Sequence, residues 1–137
     1  MDQWLEADES GTLYITEPGA LALFAQAMGL QPDGARDYLR LSSGLASALA
    51  RPRNAARYEE ADLALQAAYL AHGIAESQSF IDGNKRLALV CLFSFLQING
   101  HRLVIDEDTA AEWIFELAGA ATPHALAERL RASLGEE

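Results

Sequence analysis

A chain of 137 residues, half of them hydrophobic, has material for one continuous core and not for two, so a single domain over residues 1–137 is expected. A formal net charge of -10 sets the molecule against phosphate backbones and anionic lipid surfaces; no direct nucleic-acid contact and no membrane partner are expected, and any bound phosphate needs a local cluster of cations. The only cysteine, Cys91, lies in an apolar run, which excludes an intrachain disulfide and a thiolate metal cluster and fits a reducing cytoplasm.

The acidic first nine residues do not resemble a secretory signal. Residues 13–15 alternate weakly and predict a short strand. The Glu17-Pro18 start and the apolar series Leu21, Leu23, Phe24 and Met28 predict a helix ending near Gly29. After a turn at 31–34, a second helix is expected over 38–50, stopped by Pro52, with a polar loop over 51–58. From 59 to 77, Leu63, Ala67, Leu70, Ala71 and Ile74 recur at helical spacing, and a polar loop follows over 78–83. The next helix, 84 to about 99, is apolar nearly all round, which marks it as the centre of the core; its apolar run over 87–96 is far shorter than the about 20 residues that span a bilayer. A brief strand over 102–105 and two amphipathic helices over 109–120 and 123–134 complete the pattern, the last opened by Thr122 and Pro123 as cap and first residue. The fold class expected is all-α, a helical bundle around one central buried helix with a minor short β element.

Asp82, Gly83, Asn84, Lys85 and Arg86 open the central helix against ordinary helix design. A helix N-terminus is partially positive, so cations in the first turn are disfavoured and an anion there is favoured. The arrangement makes sense if a phosphate sits in front, where free backbone N–H groups, Lys85 and Arg86 converge on it. Gly83 lets the backbone approach such a ligand, and Asp82 fits a Mg2+ ion shared with phosphate oxygens. The plainer reading is that Asp82 caps the helix and the two cations are solvated flanks or salt-bridge partners; charge placement alone leaves both open.

Residues 78–86 read QSFIDGNKR, which resembles the Fic/Doc signature, His-x-Phe-x-Asp/Glu-Gly-Asn-Lys/Gly-Arg, in all but its first residue. The stretches GARDYLRLSSGLASALARP upstream and LALVCLFSFLQINGHRL downstream are also similar to the family, and Lys85, where the larger Fic enzymes carry Gly, points to the Doc branch of small toxins. The resemblance implies a Fic-type helical bundle. It also implies transfer of AMP, or in the Doc branch of a terminal phosphoryl group, from ATP or another nucleoside triphosphate with Mg2+ to a protein hydroxyl. A translation elongation factor is the implied target. Position by position, Asp82 would assist the metal and Gly83 would admit the phosphates. Asn84 would bind phosphate oxygens, Lys85 and Arg86 would stabilise charge on the transferring and leaving groups, Phe80 would anchor the loop, and residues 51–58 would form the flap that positions the target.

The family's first motif residue is a His that takes the proton from the target hydroxyl, and here Gln78 stands in its place. A Gln amide orients a hydroxyl but does not accept its proton near neutral pH. General-base help is worth about 10²- to 10⁴-fold, so the expectation is a slow or silent transferase that still binds nucleotide, or a binding module of the same fold without turnover. His72 lies two turns back on the preceding helix and reads as packed or solvated rather than catalytic; His101 and His124 have no partners at zinc-ligand spacing. The family's inhibitory segment, Ser/Thr-x-x-x-Glu-Gly/Asn, has no complete copy, since Ser133 and Glu137 have the spacing but no residue follows. Inhibition is therefore expected from a separate antitoxin whose acid meets Arg86.

Overall fold

In the computed structural model, which describes residues 3–118 and 122–136, side-chain caps fix where three of the helices begin. Thr16 Oγ1 accepts from the Gly19 N–H at 3.2 Å to open α1 (Glu17–Ala27), with Pro18 in the first turn, where its missing N–H costs nothing. Asp62 caps α3 (Leu63–Ser77) through the Leu65 N–H at 2.9 Å. Thr122 caps α6 (Pro123–Ser133) through the Ala125 N–H at 3.2 Å, as the Thr-Pro pair predicts. The other helices are α2 (Ser42–Glu59), α4 (Asn84–Ile98) and α5 (Glu107–Ala118), with a 3-10 turn, Gly34–Asp37, ahead of α2. The expected end of α5 at Ala120 lies outside the described residues.

The fold is mostly helical, with two small antiparallel sheets. β1 (Leu5–Ala7) pairs with β2 (Leu13–Ile15), Leu5 opposite Ile15, and β3 (His101–Leu103) pairs with β4 (Leu134–Glu136), His101 opposite Glu136. The expected strands at 13–15 and near 102 are present, β3 starting and ending earlier than predicted. Their partners are three-residue runs, too short to show an alternation.

The centre of the core is shared by α3 and α4. Helix α3 packs against α2, α4, α5 and α6, and α4 packs against α1, α3 and α5. Small residues on α3 allow the close approach of α2: a Cβ at Gly73 would fall 2.8 Å from Arg51 Cδ and 3.2 Å from Ala48 Cα. Helix α4 contributes the large fully buried side chains Leu87, Leu92, Phe95 and Leu96. Cys91 lies among them, its thiol pushed up to about 12 by burial, and acts as a small hydrophobe. Among the described residues, no helix is long and apolar enough to cross a membrane.

One expectation fails at Pro52. Residues 51–58, read as a loop, belong to α2, which runs through the proline to Glu59. A proline inside a helix costs about 3 kcal/mol. Here Leu45, Ala48, Leu49, Pro52 and Ala55 fall on one face and are all buried, so the stripe packed on α3 outweighs the lost hydrogen bond. The predicted start of that helix is also too early. Residues 38–41 are not part of α2 but lie along the loop between α3 and α4, Leu39 forming a β-bridge with Phe80.

Past the end of α4, Asn99 ties the helix to β2. Its Oδ1 accepts from Leu13 N–H, and its Nδ2 donates to Leu13 O and Phe95 O, all at 2.9 Å. Asn99→Ala leaves these part-buried groups without partners, so a loss of about 1–3 kcal/mol is expected in urea unfolding, with the slope of the transition unchanged.

Candidate functional site

The loop between α3 and α4 is held from three directions. From below, Phe80 is fully buried and stacks on Phe24, ring centroids 4.1 Å apart. From the side, Ser79 O accepts from the N–H groups of Arg40 at 2.7 Å and Leu41 at 3.0 Å, and Ile81 N–H donates to Tyr38 O at 2.9 Å. From the following helix, the Asn84 amide accepts from Phe80 N–H at 3.0 Å and donates to Phe80 O at 2.9 Å. The Asn84 side chain is thus committed to the loop backbone.

The turn into α4 depends on two left-handed residues. Gln78 ends α3 at φ 51, a conformation that costs a non-glycine residue on the order of 1 kcal/mol and that His tolerates better than most. Gly83 precedes α4 at φ 85, and a Cβ there would lie 2.9 Å from Phe24 Cε1 and 3.0 Å from Met28 Sδ. Backbone and packing therefore both demand glycine. No side chain caps α4, because the cap position is Gly83; Asp82, one residue earlier, turns Oδ1 back to accept from Gly83 N–H at 2.8 Å. The helix thus begins with free N–H groups, as every helix does that lacks a cap.

Those groups face a cleft of about 870 Å³, lined by Glu76, Gln78 and the whole run Asp82, Gly83, Asn84, Lys85 and Arg86. The volume is that of a small-molecule site. Lys85 and Arg86 are exposed. Arg86 Nη1 donates to Ala27 O at 3.3 Å, and Lys85 Nζ sits 5.5 Å from the centre of the exposed Phe115 ring. Among the described residues neither cation is paired with a carboxylate, and both residues line the cavity beside the start of α4 in a chain of net charge -10.

A family model described as "Fic/DOC family" matches residues 14–96, more than half of the sequence. The chain belongs to the Fic/DOC family. The match takes in the last two residues of β2, the helices α1 to α3, most of α4, and the cleft. A comparison with curated proteins finds no match.

Against the Fic/Doc reading of the sequence, the flap expected at 51–58 is helical, and the segment that edges the motif loop is instead 38–41. Glu137, the acid of the incomplete inhibitory spacing, lies outside the described residues. The histidines are dispersed. His101 is in β3, and His124 Nε2 stands 3.2 Å from Glu59 Oε1. His72, on α3, is half-buried. Arg51 Nη1 lies 2.9 Å from its Nδ1, and since guanidinium only donates, Nδ1 accepts and the proton resides on Nε2. That Nε2 is 3.3 Å from Glu76 Oε1, one turn further along α3. Sequence reasoning passed over Glu76; its place two residues before Gln78 was the available signal.

Two outcomes follow. Gly83→Ala is expected to lower the unfolding free energy by about 1–3 kcal/mol, read as a fall in Tm, through the left-handed backbone and the contact with Phe24 and Met28. Burial holds the His72 pKa below its ordinary 6.5, so folding disfavours its proton. Its contribution to stability is complete above that value and is lost as pH falls through 6.5 towards the folded pKa. Denaturation midpoints between pH 7 and 5 should decline in the parent and flatten in His72→Gln.

Proposed function

We propose that the cleft binds a nucleoside triphosphate with Mg2+ and that the chain moves a phosphoryl or AMP group to a hydroxyl of a target protein, slowly, because Gln78 offers no base. The observation that carries this reading is that Lys85, Arg86, the uncapped start of α4 and Gln78 line one cavity. Asp82 suits the metal. Its Oδ1 is used by Gly83 N–H, its second oxygen has no hydrogen-bond partner among the described residues, and a single carboxylate beside a phosphate seat matches an ion that takes one or two protein oxygens and fills its shell with phosphate and water. When bound, Mg2+ supplies charge neutralisation on the phosphates.

The rest of the work falls to the chain. The α4 N–H groups and the two cations orient the polyphosphate and carry the charge that builds on the leaving oxygens, the electrostatic contribution that dominates phosphoryl transfer. With its side chain bound to Phe80, Asn84 serves by fixing the loop and by its backbone N–H. Gln78, at the cleft wall, hydrogen-bonds the incoming hydroxyl. Gly83 supplies the left-handed turn, packed against Phe24 and Met28, that sets the start of α4 at the cleft.

Lys85 in place of glycine supports a Doc-type toxin acting on a translation factor, with an antitoxin partner that covers the cleft and offers an acid to Arg86. A second reading, a binding module without turnover, is favoured by Gln78 alone.

Titration of Mg-ATP by calorimetry tests the site. Lys85→Ala and Arg86→Ala are each expected to weaken binding about 10- to 100-fold, the worth of one hydrogen bond to a charged group. Gln78→His, compatible with the left-handed backbone, is expected to raise transfer of label from ATP to protein by about 10²- to 10⁴-fold. An absence of heat from the parent at millimolar Mg-ATP would falsify the phosphate seat. Binding with no transfer by either form would favour the binding module.

A further inference from the structure

The cleft that lacks a histidine base at position 78 does not lack a proton acceptor. Of the carboxylates on its wall, Asp82 has one oxygen tied to Gly83 N–H, whereas Glu76 is exposed to the cavity and makes no ion pair with Lys85 or Arg86. Glu76 stands on the last turn of α3, two residues before Gln78, and both residues line the cavity. Behind Glu76 sits a polar support that the phosphate reading leaves unused. Arg51 on α2 fixes the tautomer of His72, and His72 Nε2 lies 3.3 Å from one Glu76 oxygen, leaving the other oxygen for the cavity. Burial keeps His72 neutral near pH 7, so its Nε2–H attracts the carboxylate without surrendering a charge to it.

Resting on the transferase reading above, we propose that Glu76 is the general base of this chain and that His72 is its positioning residue. In the step, a Glu76 oxygen takes the proton of the target hydroxyl while that hydroxyl oxygen forms its bond to phosphorus. The bridging P–O bond of the nucleotide breaks, and its electron pair leaves on the departing phosphate, whose charge Lys85 and Arg86 carry. Glu76 then releases the proton to solvent. Gln78 holds the hydroxyl by a hydrogen bond and takes no proton. A carboxylate is a weaker base than imidazole, which keeps the reaction slow, and the two roles that one histidine could combine are divided between neighbours.

The test measures transfer of label from Mg-ATP, labelled at the α- or γ-phosphate, into the proteins of a cell lysate by four purified forms: parent, Glu76→Gln, Gln78→His and the double variant. Calorimetry of Mg-ATP and thermal unfolding accompany each. Glu76→Gln should reduce parental transfer at least tenfold while the Kd for Mg-ATP stays within threefold and Tm is unchanged. The same exchange beside Gln78→His should cost far less, because the new histidine takes over the proton. His72→Gln should lower kcat several-fold with KM for Mg-ATP unmoved, a split that a loosened fold would not give. If Gln78→His transfers label while either Glu76→Gln equals the parent or the parent transfers none, Glu76 is not the base and the transferase reading survives. If all forms bind Mg-ATP and none transfers, both the base and the transferase are rejected. If none binds it, the phosphate seat fails and this inference with it.

Discussion

The left-handed turn at Gly83, wedged against Phe24 and Met28, is the constraint on which the cleft depends. It leaves α4 without a capping side chain and sends Asp82 Oδ1 to the adjacent N–H, so the helix opens with its partial charge unspent. Lys85 and Arg86 then add charge of the same sign. Such an end is unfavourable by itself and is retained within a fold whose core lies directly behind it: Leu87, only one residue beyond Arg86, is fully buried.

The loop in front is rigid for reasons that reach across the fold. Phe80 is gripped twice by Asn84, stacked on Phe24 of α1, and bridged through its strand-like backbone to residues 38–41. Three separate elements therefore fix where Gln78, Asp82 and Gly83 stand. The polar wall of the cleft is set from the other side by α3, whose close crossing with α2 at Gly73 brings Arg51 to His72 and His72 to Glu76. Apolar packing and site geometry are here the same contacts.

Much of this was legible in the residues. The stripe on α3 and the Thr122-Pro123 cap each express one local rule and are found where that rule puts them, whereas α4, apolar nearly all round, fully buries one face and shares the centre of the core with α3. The run from Asp82 to Arg86 was conspicuous because it breaks a rule, and its members line one cleft. Pro52 misled because its cost is local while its compensation, a buried stripe against α3, is tertiary. β1 and β4 were silent because three residues carry no period, and the pairing of residues 38–41 with the motif loop links segments about forty positions apart that share no pattern. The double use of the Asn84 amide was hidden too, since the same residue at a helix start reads equally as ligand or clamp.

The enclosure of Cys91 has a practical corollary. With the sole sulfur of its kind in this sequence sealed inside α4 and kept protonated to about 12, alkylating reagents meet no thiolate on the folded molecule. A cysteine introduced anywhere on the surface would react alone, so a fluorophore or spin label can be stationed at the rim of the cavity without first removing the native one. In the unaltered chain, the pace at which that sulfur becomes modifiable clocks the opening of the central helices.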